Sequence, residues 1–223
     1  MTEPQLTMPN FDEFVDSTNK NTPVQGFLHR PALPETDCLI LTHGAGANCR
    51  SLLLTTLAEG FCGAGLTVLR CDLPFRQSRP HGPPPRGSAE RDQEGLRAAV
   101  ASMRQITKRK IFLGGHSYGG RQASILAANE PGLVERLLLL SYPLHPPKRP
   151  SETRTKHFSS LRTPALFVHG VRDGFGSIPE MEGALEIIPS PTHLISVSGA
   201  GHELMNSRNS NELVGQIVAA FLA

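Results

Sequence analysis

The chain has 223 residues, 39% of them hydrophobic, with 22 Lys plus Arg against 20 Asp plus Glu and a formal net charge of +2. That length suits one α/β domain built on a sheet buried on both faces, and the near balance of charge gives no footing for binding nucleic acid or an anionic membrane. With no Trp and only two Tyr, a base-stacking platform is excluded as well.

Taken in chain order, residues 1–23 form a polar, somewhat acidic segment without the basic and apolar regions of a signal peptide. No apolar run approaches the ~18 residues of a membrane span, so the cytoplasm is the expected location. "DCLILTHG" (37–44) reads as a buried strand, "CRSLLLTTLAEGFCGAG" (49–65) as a helix closed by glycine, and "LTVLRCDLP" (66–74) as a strand stopped by Pro74. "AERDQEGLRAAVASMRQIT" (89–107) is helical, "KIFLGGHS" (110–117) a strand, and "RQASILAANE" (121–130) a helix that ends before Pro131. Strands are expected at 134–144, 164–173 and 192–201, and helices at 177–188 and 210–223. Apolar strands alternating with helices predict a mostly parallel sheet with helices on both faces. Two connections are long, proline-rich and basic: 75–88 and 145–163. The cysteines Cys38, Cys49, Cys62 and Cys71 contain no C-x-x-C pair, which disfavours zinc; all four are expected to be reduced.

Gly115-His116-Ser117-Tyr118-Gly119 fits G-x-S-x-G between a strand and a helix, the context that pattern requires. The turn is sharp, and glycine two residues either side of the serine removes clashes with the flanking strand and helix. Ser117 is thereby presented above the sheet edge as a candidate nucleophile, which needs a base. Among nine histidines, His43, His116 and His169 lie in strand ends, where packing explains them. His29, His81, His145, His157 and His193 lie in loops or at element edges. No H-x-x-x-H pair marks a helical metal site. His202, in "SGAGHEL" after the last strand, is the candidate base. Asp173, directly after a strand in "VHGVRDGFGS", is the candidate orienting acid, favoured over Asp72, Glu203 and Glu180 by the chain order Ser117, Asp173, His202. Backbone N–H groups of Tyr118 and of Ala45, or less favourably Gly46, are expected to form an oxyanion hole. Arg76, Arg79 and Arg86 in one long loop, and Lys148, Arg149, Arg154 and Lys156 in the other, are expected to rim the catalytic edge, where they would favour an anionic substrate.

Together "LTHGAGAN", "GGHSYGG", "VHGVRDGFGS" and "GAGHEL" resemble the α/β-hydrolase superfamily, in its motif order across residues 41–204. The likeness is to small members similar to dienelactone hydrolases. More narrowly, "RDGFGS" and the proline-rich stretch after "LRCDLPFR" resemble the hydrolase-like domain shared by a testis-expressed protein and a subunit of the non-specific-lethal histone acetyltransferase complex. The resemblance implies a single domain over 1–223 with about seven or eight strands, one of them antiparallel near the start, for which "VQGFLHRPA" (24–32) is the candidate edge. It implies hydrolysis of a small-molecule ester or thioester through an acyl-enzyme, without cofactor or metal, with Ser117, His202 and Asp173 as nucleophile, base and acid. Dienelactone hydrolases use a cysteine nucleophile, and Ser117 departs from that. The cap is reduced to about 145–163, which implies an open cleft. The alternative reading is a binding scaffold that retains the three residues. The oligomeric state is left open.

Overall fold

The computed structural model describes residues 11–32, 36–205 and 210–223. One eight-stranded sheet runs through it in the order β1-β2-β4-β3-β5-β6-β7-β8. The strands are Phe11–Asp16 (β1), Val24–His29 (β2), Cys38–Thr42 (β3), Thr67–Cys71 (β4), Ile111–His116 (β5), Leu137–Leu140 (β6), Ala165–Gly170 (β7) and Thr192–Val197 (β8). From β4 to β8 every pairing is parallel, while β2 pairs antiparallel with both β1 and β4. The five central strands β3 to β7 are buried at every residue. A sheet covered on both faces leaves no water-facing side for polar residues, so apolar runs replace alternation.

The segment 24–32 does supply an antiparallel strand, β2, but β1 outflanks it at the edge. β1 arises inside the stretch read as polar and somewhat acidic, where the sequence assigns no strand. Its FDEFVD sequence is mostly exposed, and an edge strand gains its place through backbone pairing rather than through an apolar pattern. Acidic side chains on such a strand also discourage pairing with other chains. Asp12 pairs with Arg30 at 2.8 Å, and Asp16 accepts a hydrogen bond from Ser102.

Helices Leu52–Gly63 (α1) and Ser210–Leu222 (α6) cover one face; Ala89–Ile106 (α3), Tyr118–Asn129 (α4) and Ile178–Leu185 (α5) cover the other. The period-2 alternation of the strands sorts their side chains between the two cores. Leu39, Leu41, Leu138 and Leu140 meet Leu57, Phe61, Ile217 and Phe221. Cys38, Ile40, Leu137 and Leu139 meet Val100, Met103, Ala123 and Leu126. A five-residue helix, Pro74–Ser78 (α2), opens the connection 75–88 with proline at its start, a position where the missing N–H does no harm. In the connection 145–163 a single 3-10 turn, Phe158–Ser160, buries Phe158 in the α3–α5 core. Among the described residues no helix is long and apolar enough to cross a membrane.

Candidate active site

The centre of the site is the β5–α4 turn. Ser117 sits between them with φ 49° and ψ −113°, a conformation that costs a side-chain-bearing residue about 1–3 kcal/mol. Its N–H donates to the Leu140 carbonyl at 2.8 Å, which ties the turn to the end of β6. The glycine requirement is steric: a Cβ at Gly115 would stand 2.7 Å from Gly120 N, and one at Gly119 2.5 Å from the His43 carbonyl oxygen. Helix α4 starts at Tyr118, three residues earlier than its sequence implies, because Gly119 and Gly120 read as turn residues but are demanded here by close packing.

Loops from β7 and β8 bring two more side chains to this turn. Ser117 Oγ is 2.8 Å from His202 Nε2, and His202 Nδ1 is 2.8 Å from Asp173 Oδ2. An ionised carboxylate only accepts, so Nδ1 carries the proton and Nε2 is left to accept from the serine hydroxyl. The second carboxylate oxygen of Asp173 accepts the Phe175 N–H at 2.9 Å. Burial alone would push the Asp173 carboxyl up; the hydrogen bonds from His202 and Phe175 N–H, with the pull of the His202 and His169 rings, outweigh it and hold the group below its usual range. The Asp173 side chain is fully buried, whereas the His202 side chain is 22% exposed.

Three groups hold the imidazole. Phe175 lies against it with ring centroids 4.3 Å apart. His116 donates its Nε2–H to the His202 carbonyl at 2.8 Å. Gly170 admits the 200–201 backbone, since a Cβ there would stand 2.4 Å from the Gly201 carbonyl oxygen. His169 is turned inward, its Nε2–H on the Gly176 carbonyl at 2.8 Å, and burial lowers its pKa.

Two of the rival acids, Asp72 and Glu180, are engaged elsewhere. Asp72 accepts the Cys49 N–H at 2.7 Å and lies 3.4 Å from His43 Nε2, and Glu180 closes a capping box with Ser177. Among the described residues no group of three or more His, Cys, Asp or Glu side chains is placed to hold a metal ion.

On the β3–β4 side of Ser117, the loop after β3 carries Ala45 and Gly46. It lies against the turn: a Cβ placed on Gly44 would be 3.4 Å from Ser117 Cβ and 2.9 Å from His116 Nδ1. Tyr118 opens α4, so its N–H is among those a helix start leaves without an internal acceptor. Its hydroxyl donates to Asp92 at 2.7 Å, and the other Asp92 oxygen accepts the Phe75 N–H at 3.0 Å. This carboxylate is fully buried, and burial raises its pKa.

The basic rim is corrected at Arg76. It is 5% exposed, and its guanidinium is spent on backbone carbonyls of two loops. Arg149 pairs with Glu152 at 3.0 Å, while Arg79, Arg86, Lys148 and Lys156 are exposed. The 145–163 connection is anchored to α4 by His157 Nε2 and Ser124 Oγ at 2.8 Å, and to Tyr142, whose hydroxyl donates to the Arg154 carbonyl at 2.7 Å. Sequence reasoning missed Arg76 and Asp92. The available signal for Arg76 was its place directly after the apolar "LPF" (73–75), within α2, against which the neighbouring prolines and arginines argued for solvent.

Residues 35–222 match the sequence model of an alpha/beta hydrolase domain. Several solved structures share the fold. A dienelactone hydrolase from Anabaena variabilis is 21% identical with a TM-score of 0.74, over 97% of this chain and 98% of that one. An alpha-beta serine hydrolase homologue from Coxiella burnetii is 20% identical with a TM-score of 0.76, over 97% and 99%. A lidless α/β serine hydrolase from Xanthomonas campestris is 18% identical with a TM-score of 0.74, over 97% and 96%.

Proposed function

The chain belongs to the alpha/beta hydrolase domain family, and on that premise we propose that it is a serine hydrolase that cleaves a small ester or thioester through an acyl-enzyme. The observation that carries this reading is the unbroken relay from Ser117 Oγ through both ring nitrogens of His202 to Asp173, each step 2.8 Å long. Ser117 attacks the substrate carbonyl as its proton passes to His202 Nε2. The oxygen of the tetrahedral intermediate is held by the N–H groups of Tyr118 and Ala45. His202 returns the proton to the departing alcohol or thiol, and the acyl group stays on Ser117. Water then gives a proton to His202 and attacks the acyl carbonyl; the carboxylic acid leaves as Ser117 recovers its proton. Asp173 fixes the imidazole tautomer and stabilises the imidazolium without being protonated itself.

The half-buried Phe175 ring and the shallow exposure of His202 support compact substrates. The test is turnover of a short p-nitrophenyl ester together with labelling by a fluorophosphonate probe. Wild type is expected to turn over and to label at Ser117, and S117A to do neither. Equal turnover by S117A would overturn the proposal. Absence of labelling in wild type would favour a scaffold with a dormant serine.

A further inference from the structure

Buried guanidinium groups ordinarily meet a carboxylate, because an uncompensated buried charge is costly. Arg76 pairs with no carboxylate among the described residues. Instead its Nε donates to the Ala47 carbonyl at 2.7 Å and its Nη2 to the Ala45 carbonyl at 2.7 Å. Nη2 also reaches the Gly82 carbonyl, and Nη1 the Arg79 carbonyl, both at 3.0 Å. One planar fork therefore joins the loop after β3 to the loop after α2.

The carbonyls chosen are informative. The described backbone has no cis peptide bond, and in a trans peptide the C=O and the following N–H point in opposite directions. Holding the Ala45 carbonyl fixes the Ala45–Gly46 plane and turns the Gly46 N–H away from Arg76. The preceding plane is fixed separately: the Gly44 carbonyl accepts His43 Nδ1–H at 2.8 Å and the Ala47 N–H at 3.2 Å, which sets the direction of the Ala45 N–H. Both planes flanking Ala45 are thus tethered, and with them the two N–H groups considered for the oxyanion hole.

We propose that Arg76 is a positioning residue that preorganises the oxyanion-hole loop by fastening the carbonyls of Ala45 and Ala47; this rests on the serine-hydrolase reading. Donors set in advance toward developing charge are worth much more than donors that must be rearranged during the reaction. A guanidinium suits this task because its five N–H groups are fixed in one plane, whereas an ammonium is a single pivoting point charge.

The experiment compares wild type with R76A and R76K on a short p-nitrophenyl ester, with active sites counted by fluorophosphonate titration and folding followed by thermal melting. R76A is expected to lose about 10²-fold in kcat with KM changed by less than about threefold, the signature of an interaction felt in the transition state. Millimolar methylguanidine is expected to restore a measurable part of that kcat. R76K keeps the charge and is expected to lose about 10-fold or more in kcat, because it cannot span both loops. R76K also decides the matter should R76A fail to fold. Unchanged kcat in a folded R76K or R76A, or a loss in R76A that methylguanidine leaves untouched, would overturn the proposal. Wild type that neither labels nor turns over would instead sink the serine-hydrolase reading, so the two failures are distinguishable.

Discussion

Ser117 stands between two regions built on different principles. On the β7–β8 side the proposed chemistry is carried by side chains, Asp173 and His202, whose geometry is set by direct hydrogen bonds. On the β3–β4 side it is carried by backbone N–H groups, and side chains act only at one remove: Arg76 and His43 hold carbonyls, and Asp92 holds the Tyr118 hydroxyl. A side-chain function depends on residue identity at one position. A backbone function depends on peptide orientation, which many residues share in setting. Substitutions on the first side are therefore expected to act abruptly, and those on the second in graded fashion.

The largest effect is expected from D173N. The amide retains the shape of the carboxylate, but its NH2 can donate to Nδ1 and so favour the tautomer whose Nε2 already bears a proton. That tautomer cannot accept from Ser117. A fall of about 10⁴ in kcat is expected from such a change, with little loss of folded protein, as measured by ester turnover alongside thermal melting. Retention of a tenth or more of the wild-type kcat would remove the abruptness assigned to this side.

Smaller is the effect expected from G119A on the backbone side. The added methyl would meet the His43 carbonyl oxygen at 2.5 Å and Thr42 Cγ2 at 2.6 Å, so the end of β3 and the loop behind it must move. Overpacking of this kind costs about 1–3 kcal/mol, and displacing an oxyanion donor about 10²-fold in rate. G215A on α6 is the control, since a Cβ there meets nothing within 4 Å; its kcat should match wild type and its melting temperature should not fall. Equal behaviour of the two variants would show that the contact at Gly119 does not govern this side.

The same division explains what was legible in the sequence. The central strands were readable because burial on both faces leaves continuous apolar runs such as "CLILT" and "LLLL". β1 was not, because an exposed edge strand is specified by backbone pairing. Ser117, Asp173 and His202 are singled out by residue type and order, and the fold brings those three side chains into contact. Arg76 was assigned to a solvated rim because charge in a sequence gives no direction, and here the acceptors are carbonyls, which every residue possesses. The 75–88 and 145–163 connections look alike in composition, yet the first sends a buried guanidinium toward the loop beside Ser117 while the second fastens itself to α4 through His157.

The smallest effect concerns pH, and it probes the backbone side through stability. His43 is fully buried. Its Nδ1–H donates to Gly44 and its Nε2 accepts the Leu73 N–H at 3.2 Å, so the fold uses the neutral ring with both nitrogens occupied. Burial is the main cause that lowers its pKa; the Gly44 hydrogen bond and Asp72 oppose this, and Arg76 and His116 add to it. The unfolded chain therefore takes up this proton first as pH falls. The histidine's stabilising contribution is complete above about pH 6.5 and is lost progressively below it, at no more than about 1.4 kcal/mol per pH unit for one proton. His29 and His157, both pushed down to about 4 chiefly by burial, contribute in the same direction. H43N, whose amide can still donate to Gly44, is expected to be less stable than wild type at pH 7.5 and to approach it at pH 5.5 in urea unfolding. Parallel stability curves for the two proteins across that interval would mean that His43 is not held neutral, and that the loop beside Ser117 tolerates a charged ring where the hydrogen bonds call for an uncharged one.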